Sequence, residues 1–354
     1  MKNKTFIVGL LIVSLGLLLF IYHDDFLYKT PILRITKVET KKEDISINSL
    51  GLKEKYYQQE ITGIYTNSNK KGLTKTILYE EAYSSVVTDK YKVGDKVLVK
   101  DNTIIGLKRD FYISIMIFIF ILSILIVGEW KGALSVLSVM INTIIFYIGL
   151  ILYFKGINLL FLTIIESFLF SILSLMIANG RNKKTKSAIL STITTFMILL
   201  SLILVLGKIT NYSGINYNEL SFLTVPIDHI LLPELMIGIL GVSMDVAITI
   251  SSSIEELITK NPKIDTLSLK KSAKEIGKDI MTTMSNVLFF TYICAGLPLF
   301  VLALRNGFSF TNYISTNFSL EITRFLVGSI AIILTIPVSS LISIKIMRGG
   351  VSNE

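Results

Sequence analysis

From Asp110 onward the sequence is a succession of apolar runs, each close to the roughly 20 residues an α-helix needs to cross a bilayer. The runs lie at 111–128, 133–154, 158–178, 187–206, 230–253, 280–304 and 325–346. No water satisfies backbone N–H and C=O groups inside hydrocarbon, so such runs are expected as helices that hydrogen-bond within themselves. An eighth run, 6–22, follows Lys2 and Lys4 at the N-terminus. The expected fold class is therefore an α-helical polytopic membrane protein of about eight transmembrane helices.

Composition agrees with that reading. The 354 residues are 51% hydrophobic and only 17% charged, against roughly 25% in soluble domains. The net charge of +9 comes mainly from short loops between the runs, where lysine and arginine set orientation, so no nucleic-acid partner is expected. The N-terminus, the 129–132 turn, the 181–186 and 260–278 loops and the C-terminus hold about fifteen basic residues. The opposite side holds Lys155, Lys208, Arg305 and Arg324. The asymmetry places both termini in the cytoplasm of a cytoplasmic-membrane protein, and a count of seven spans would spoil it.

The first run has the basic and apolar regions of a signal sequence, but Tyr22-His23-Asp24-Asp25 after it shows no small-residue cleavage pattern. Residues 1–29 are accordingly expected to form an uncleaved anchor. Residues 30–109 change character, with alternating β-branched runs at 32–38, 60–66 and 96–101 and turn signals at 67–72 and 93–96. This stretch is expected as a small extracytoplasmic β-barrel-like or β-sandwich domain between helices 1 and 2. Residues 110–354 then form a seven-helix membrane domain, with a hairpin turned at 129–132.

Charged residues are costly in hydrocarbon, at about 3 kcal/mol on insertion scales, so an acid inside a span calls for a partner, a water path or a task. Asp245 is the strongest such signal. With Gly238, Gly241, Thr249, Ser252 and Glu256 it recurs at steps of three or four, which makes one helical stripe. Asp279, Thr282, Thr283 and Asn286 form a second stripe on the following span, and the two are expected to face each other. In one reading Gly238 and Gly241 let helices approach while the polar groups hydrogen-bond across the contact. In the other, Asp245 exchanges a proton or cation, with Asp279, Thr283, Asn286, Thr249 and Ser252 around it. Glu166 is a second candidate proton site or helix lock, and Asn142 reads as interhelical glue. Pro233, Pro298 and Pro337 read as kinks, and the basic loop 255–279 as a cytoplasmic segment.

No catalytic residue, cofactor site or metal site is expected. The single cysteine, Cys294, and the two separated histidines, His23 and His229, supply no ligand set. The spans contain neither a paired aspartate nor a GxSG serine, so an enzyme is not expected. The expected partners are the lipid bilayer and an unidentified substrate or protein at the outer domain.

The blocks GILGVSMDVAITISSSIEEL (238–257) and EIGKDIMTTMSNVLFF (275–290), with QQEITGIYTNSNKKG (58–72) and YKVGDKVLV (91–99) before them, resemble the YibE/F family of bacterial multipass membrane proteins. The resemblance covers roughly residues 31–345 and implies a membrane protein with an outer module. It implies no activity. A looser likeness concerns mechanism: a glycine, a serine, Asp245, a glutamate ten residues on and a Thr-Thr-rich helix are similar to the paired helices of SecD/SecF and other RND-type permeases, which run on the proton gradient. The leading expectation is an ion-gradient-coupled permease or export-assisting protein, and the alternative is a non-transporting scaffold or sensor.

Overall fold

The structure is a computed structural model that describes residues 14–47, 51, 53–84, 88–212, 215, 228–316 and 318–348. Residues 1–13 of the expected anchor lie outside the described residues. The chain divides into two compact units, 1–129 and 130–354.

In the first unit, α1 (residues 14–22) precedes a 3-10 turn at Asp24–Leu27 and five strands. They are β1 (Ile32–Ile47), β2 (Lys53–Tyr65), β3 (Thr74–Ala82), β4 (Lys96–Lys100) and β5 (Thr103–Leu107). They make one antiparallel sheet in the order β3-β2-β1-β4-β5. Alternation along the strands puts Leu33, Ile35, Ile61, Ile77, Val97 and Val99 on one face, and these with Tyr65 and Tyr91 form the core. The edge strands β3 and β5 come into contact, so the sheet curls on itself. Irregularities in the β1–β2 register at Ile35/Lys37 and Thr40/Lys42 assist the curl. At Gly63 a Cβ would meet the Arg34 carbonyl oxygen at 2.6 Å, so only glycine fits this crossing. Strands were anticipated for β1, β2 and β4, whereas β3 and β5 stand beyond the quoted runs.

Six helices are long and apolar enough to cross a membrane, among the described residues. They are α2 (Asp110–Phe154), α3 (Leu159–Asn179), α4 (Lys183–Thr210), α5 (Asp228–Lys260), α6 (Thr266–Arg305) and α8 (Ser319–Arg348). The short α7 (Phe310–Thr316) lies between α6 and α8 and was not anticipated. Two expected spans fall within α2. At the expected 129–132 turn a single residue, Glu129, leaves helical conformation, with φ 48° and ψ −125°. Pro233, Pro298 and Pro337 sit inside helices that continue past them.

In the second unit α5 packs against α3, α4, α6 and α8, while α8 also packs against α4 and α6. Small residues let these helices close up. A Cβ at Gly277 of α6 would overlap Ile336 of α8, and one at Gly328 would meet Leu288 at 3.0 Å. Apolar side chains such as Phe161, Phe290, Leu326, Ile333 and Leu341 point outward from the bundle, as expected of a chain solvated by lipid. The basic stretch before the seventh expected span turns at 261–265, as Pro262 suggests, and its remainder is helical. After that turn comes the opening of α6, capped by Asp265, whose side chain accepts from the Ser268 amide at 2.9 Å.

Candidate functional site: ionisable groups of the helix bundle

The interior of the bundle is polar in a particular way. Ser187 of α4, Ser251 of α5 and Ser343 of α8 are fully buried, with Ser343 2.9 Å from Ser251 and donating to Ser187 at 3.2 Å. These hydroxyls, together with a bond of 2.6 Å from the Asn142 amide to Ser174, carry hydrogen bonds between helices. Asn142 thus acts as the interhelical contact anticipated for it. The serine triad was not anticipated, because its members are scattered over more than 150 positions and only packing brings them together.

The two polar stripes sit differently. Gly241, Asp245 and Thr249 lie on the exposed face of α5, and Asp279, Thr282, Thr283 and Asn286 on the exposed face of α6. The threonines turn back on their own helices: Thr249 donates to the Asp245 carbonyl at 2.7 Å, and Thr283 to that of Asp279 at 3.0 Å. No hydrogen bond joins the two stripes among the described residues, so hydrogen-bonded glue across an α5–α6 contact is not what they make. Gly241 has open space where a Cβ would project, and Gly238 has only the Tyr292 hydroxyl, 3.5 Å away, so close helix approach occurs at Gly277 and Gly328 instead. Ser252 is half-buried.

Along α5 the acids have different surroundings. Glu234 near the N-terminal end is ion-paired with Arg324. At the other end Glu255 meets Lys184 at 3.4 Å and Glu256 meets Lys260 at 2.6 Å. The Asp245 carboxyl between them makes no hydrogen bond or ion pair among the described residues.

Glu166 of α3 is 7% exposed, and its Oε1 is buried without a hydrogen-bond partner. Its carboxyl lies against Gly149 of α2, where a Cβ would occupy the carboxyl's own position. The pairing of a glycine with an acid 17 positions away is invisible in the linear sequence. It explains how α2 and α3 admit a carboxyl between them.

A charged cluster missed by sequence reasoning stands at the N-terminal ends of α5 and α8. Arg324 pairs with Glu234 and, at 2.5 Å, with Glu321, and all three line a cleft with Tyr292 of α6. The sequence presents Arg324 as a loop cation and Pro233 beside Glu234 as a kink, and the two charges lie 90 positions apart. The only available signal was a basic residue beside an apolar run.

The first unit holds a second unanticipated cluster. Lys108 is buried, its ammonium within 2.5 Å of Asp24, 3.1 Å of Asp25 and 3.2 Å of Asp110, while Lys96 reaches Asp25 at 2.7 Å. Burial works to raise the Asp25 carboxyl, and hydrogen bonds from Lys96 and Lys108 outweigh it, so Asp25 titrates below the usual carboxylate range. Burial alone would lower Lys108, but hydrogen bonds to Asp24, Asp25 and Asp110 reverse that and hold it above the usual lysine range. Tyr28 donates to Asp110 at 2.8 Å, and its burial together with that bond pushes its hydroxyl up to about 12. Beside it Asn67 accepts from the Ile32 amide at 2.7 Å and donates to the carbonyls of Asp25, Tyr28 and Thr30, each at 3.0 Å. Five charges and one amide thus tie α1, the sheet and the start of α2 together. Among the described residues no group of three or more His, Cys, Asp or Glu side chains is arranged to hold a metal ion.

No curated protein and no solved structure matches the chain. Residues 26–108 match the YibE/F family N-terminal domain, which corresponds to the curled sheet. Residues 116–349 match YibE/F-like protein, which corresponds to the apolar helices. With both parts matched in order over most of its length, the chain belongs to the YibE/F family.

Proposed function

We propose that this membrane protein is an ion-gradient-coupled permease or export-assisting protein of the cytoplasmic membrane, with Asp245 taking up and releasing a proton or cation. Both termini are then cytoplasmic, and the sheet domain meets substrate or a partner outside. One observation carries the reading. Among the four acids from Glu234 to Glu256, Asp245 alone makes no ion pair among the described residues, and it lies about 16 Å of helix from Glu234 and from Glu256. A carboxyl at that depth has no charge to hold it ionised. Proton uptake is its low-cost response to hydrocarbon, and release requires a conformation in which water reaches it.

The test is Asp245→Asn in proteoliposomes, with internal pH followed by a trapped dye after a membrane potential is imposed. Potential-driven proton uptake by the wild type and its loss in a folded, correctly inserted Asp245→Asn is the expected result. Equal uptake by the two proteins removes Asp245 from the mechanism.

The second reading is a non-transporting scaffold or sensor, and the outward exposure of Gly241, Asp245 and Thr249 favours it, since such a face suits recognition by another membrane protein. Absence of uptake by the wild type, with a partner protein lost on Asp245→Asn, decides for the scaffold.

A further inference from the structure

The N-terminal part of α6 and the C-terminal half of α8 border a groove of about 410 Å³. Its floor is tight: Gly277 brings the α6 backbone against Ile336 of α8, where a Cβ would overlap the isoleucine side chain. Its walls are apolar, with Met281 on α6 and Ile333 and Leu341 on α8, and the last two are half exposed on the outward face of the bundle. Three cations stand along one side. Lys270, Lys274 and Lys278 recur every four residues, so they form one stripe down α6, and all three line the groove.

Lys278 pairs with Glu275 at 2.8 Å. Lys270 and Lys274 make no hydrogen bond or ion pair among the described residues, and no acid lines the groove. Lys345 of α8, four residues beyond Leu341 on the same stripe of that helix, adds a cation toward the basic end. Unpaired ammonium groups at the mouth of an apolar groove select an amphiphile with an anionic head. A soluble anion would match the lysines and leave the walls empty, and a neutral lipid would fill the walls and leave the lysines unmatched. The groove also lies where lipid is at hand, since it starts at the basic ends that Arg348 and Thr266 hold together and runs along helices apolar enough to cross a membrane. Its volume suits a chain better than a helix. An α-helix is about 10 Å or more across, so about one turn would fill the groove.

We propose that this groove binds an anionic phospholipid, with its phosphate held by Lys270 and Lys274 and an acyl chain laid over Met281, Ile333 and Leu341. Such binding is an equilibrium property that needs no gradient, so the proposal goes beyond the role of Asp245 and does not depend on it.

The experiment is native mass spectrometry of the full-length protein released from detergent micelles after titration with dioleoyl phosphatidylglycerol, and with dioleoyl phosphatidylcholine as the lipid of the same chains without net charge. The expected result is saturable retention of phosphatidylglycerol in preference to phosphatidylcholine, weakened about thirtyfold in Lys270→Gln/Lys274→Gln, the loss expected for two cations at a lipid surface. Lys263→Gln/Lys271→Gln removes as much charge from the same stretch outside the groove lining, and it is expected to bind as the wild type does. All four lysines are exposed, so both double variants keep the fold. Glycerol 3-phosphate carries the phosphate without the chains and is expected not to displace the lipid even in large excess. No preference for phosphatidylglycerol, equal weakening by the two double variants, or displacement by glycerol 3-phosphate each overturns the proposal. So does a dimer that excludes phosphatidylglycerol and that Lys270→Gln/Lys274→Gln dissociates, since the groove would then serve a second copy of the chain.

Discussion

Among single residues, Lys108 has the clearest energetic consequence. Its side chain is 3% exposed and faces three carboxylates, so removing the ammonium leaves buried negative charges without compensation. Lys108→Met is expected to cost about 3–5 kcal/mol in the sheet domain, the usual penalty for breaking a buried pair. The pH dependence follows from the same contacts. Asp25 is depressed in the folded state, so its contribution is complete above the ordinary carboxylate range and is lost as pH falls through its lowered value. Lys108 is raised, so its contribution is complete below the ordinary lysine range and is lost only as pH rises through its higher value. Protection of the Ile32 and Thr66 amides, corrected for intrinsic exchange, is expected to stay level from about pH 5 to 9 and to drop below about pH 4. Protection that stays level through the acid range would show that these contacts contribute nothing to stability. None of this was legible in the sequence, where His23-Asp24-Asp25 carried meaning only for cleavage. Asp245 was legible, because an acid inside an apolar run stands out without knowledge of any neighbour.

At the scale of elements, apolar length located the helices and alternation located three strands, since both signals are periodic and local. What each helix faces was harder to read. A polar stripe marks one face of α5, but the same spacing serves a contact, a water path or an outward surface, and the structure puts Asp245 and Thr249 on the outward one. The contact-forming polar residues are instead Ser187, Ser251 and Ser343, which look like ordinary minor polar residues in their own runs. The break in α2 carries an element-scale prediction. Glu129 is exposed and holds φ at 48°, a conformation that costs an L-residue about 1 kcal/mol or more and glycine almost nothing. Glu129→Gly is therefore expected to raise the thermal midpoint in detergent and Glu129→Val to lower it. The opposite order would mean that this backbone geometry carries no strain.

The whole molecule poses the question of how often α2 crosses the membrane. Its 45 residues span about 67 Å if straight, roughly twice the hydrocarbon thickness, and are apolar on both sides of Glu129. A single crossing would leave several turns of isoleucine and phenylalanine in water, which the hydrophobic cost forbids. Two crossings, 110–128 and 130–154, would bury both stretches, and Lys131 is then expected on the side of the other basic loops. The basic end is fixed within the second unit: Lys184 meets Glu255 at 3.4 Å and Arg348 donates to Thr266 at 2.8 Å, so the basic termini of α4, α5, α6 and α8 lie together. With two crossings in α2, five more helices bring the C-terminus to the cytoplasm while the sheet domain stays outside, the arrangement that the lysine and arginine asymmetry favours. With one crossing, the sheet domain shares its side with the basic ends. Single cysteines at Ser68 and Lys263 in a Cys294→Ser background discriminate the two in intact cells. An impermeant maleimide is expected to label Ser68→Cys from outside and to leave Lys263→Cys unlabelled until the membrane is opened. Equal labelling of both in intact cells would require α2 to cross once, and the hydrophobic argument for its second crossing would fail with it.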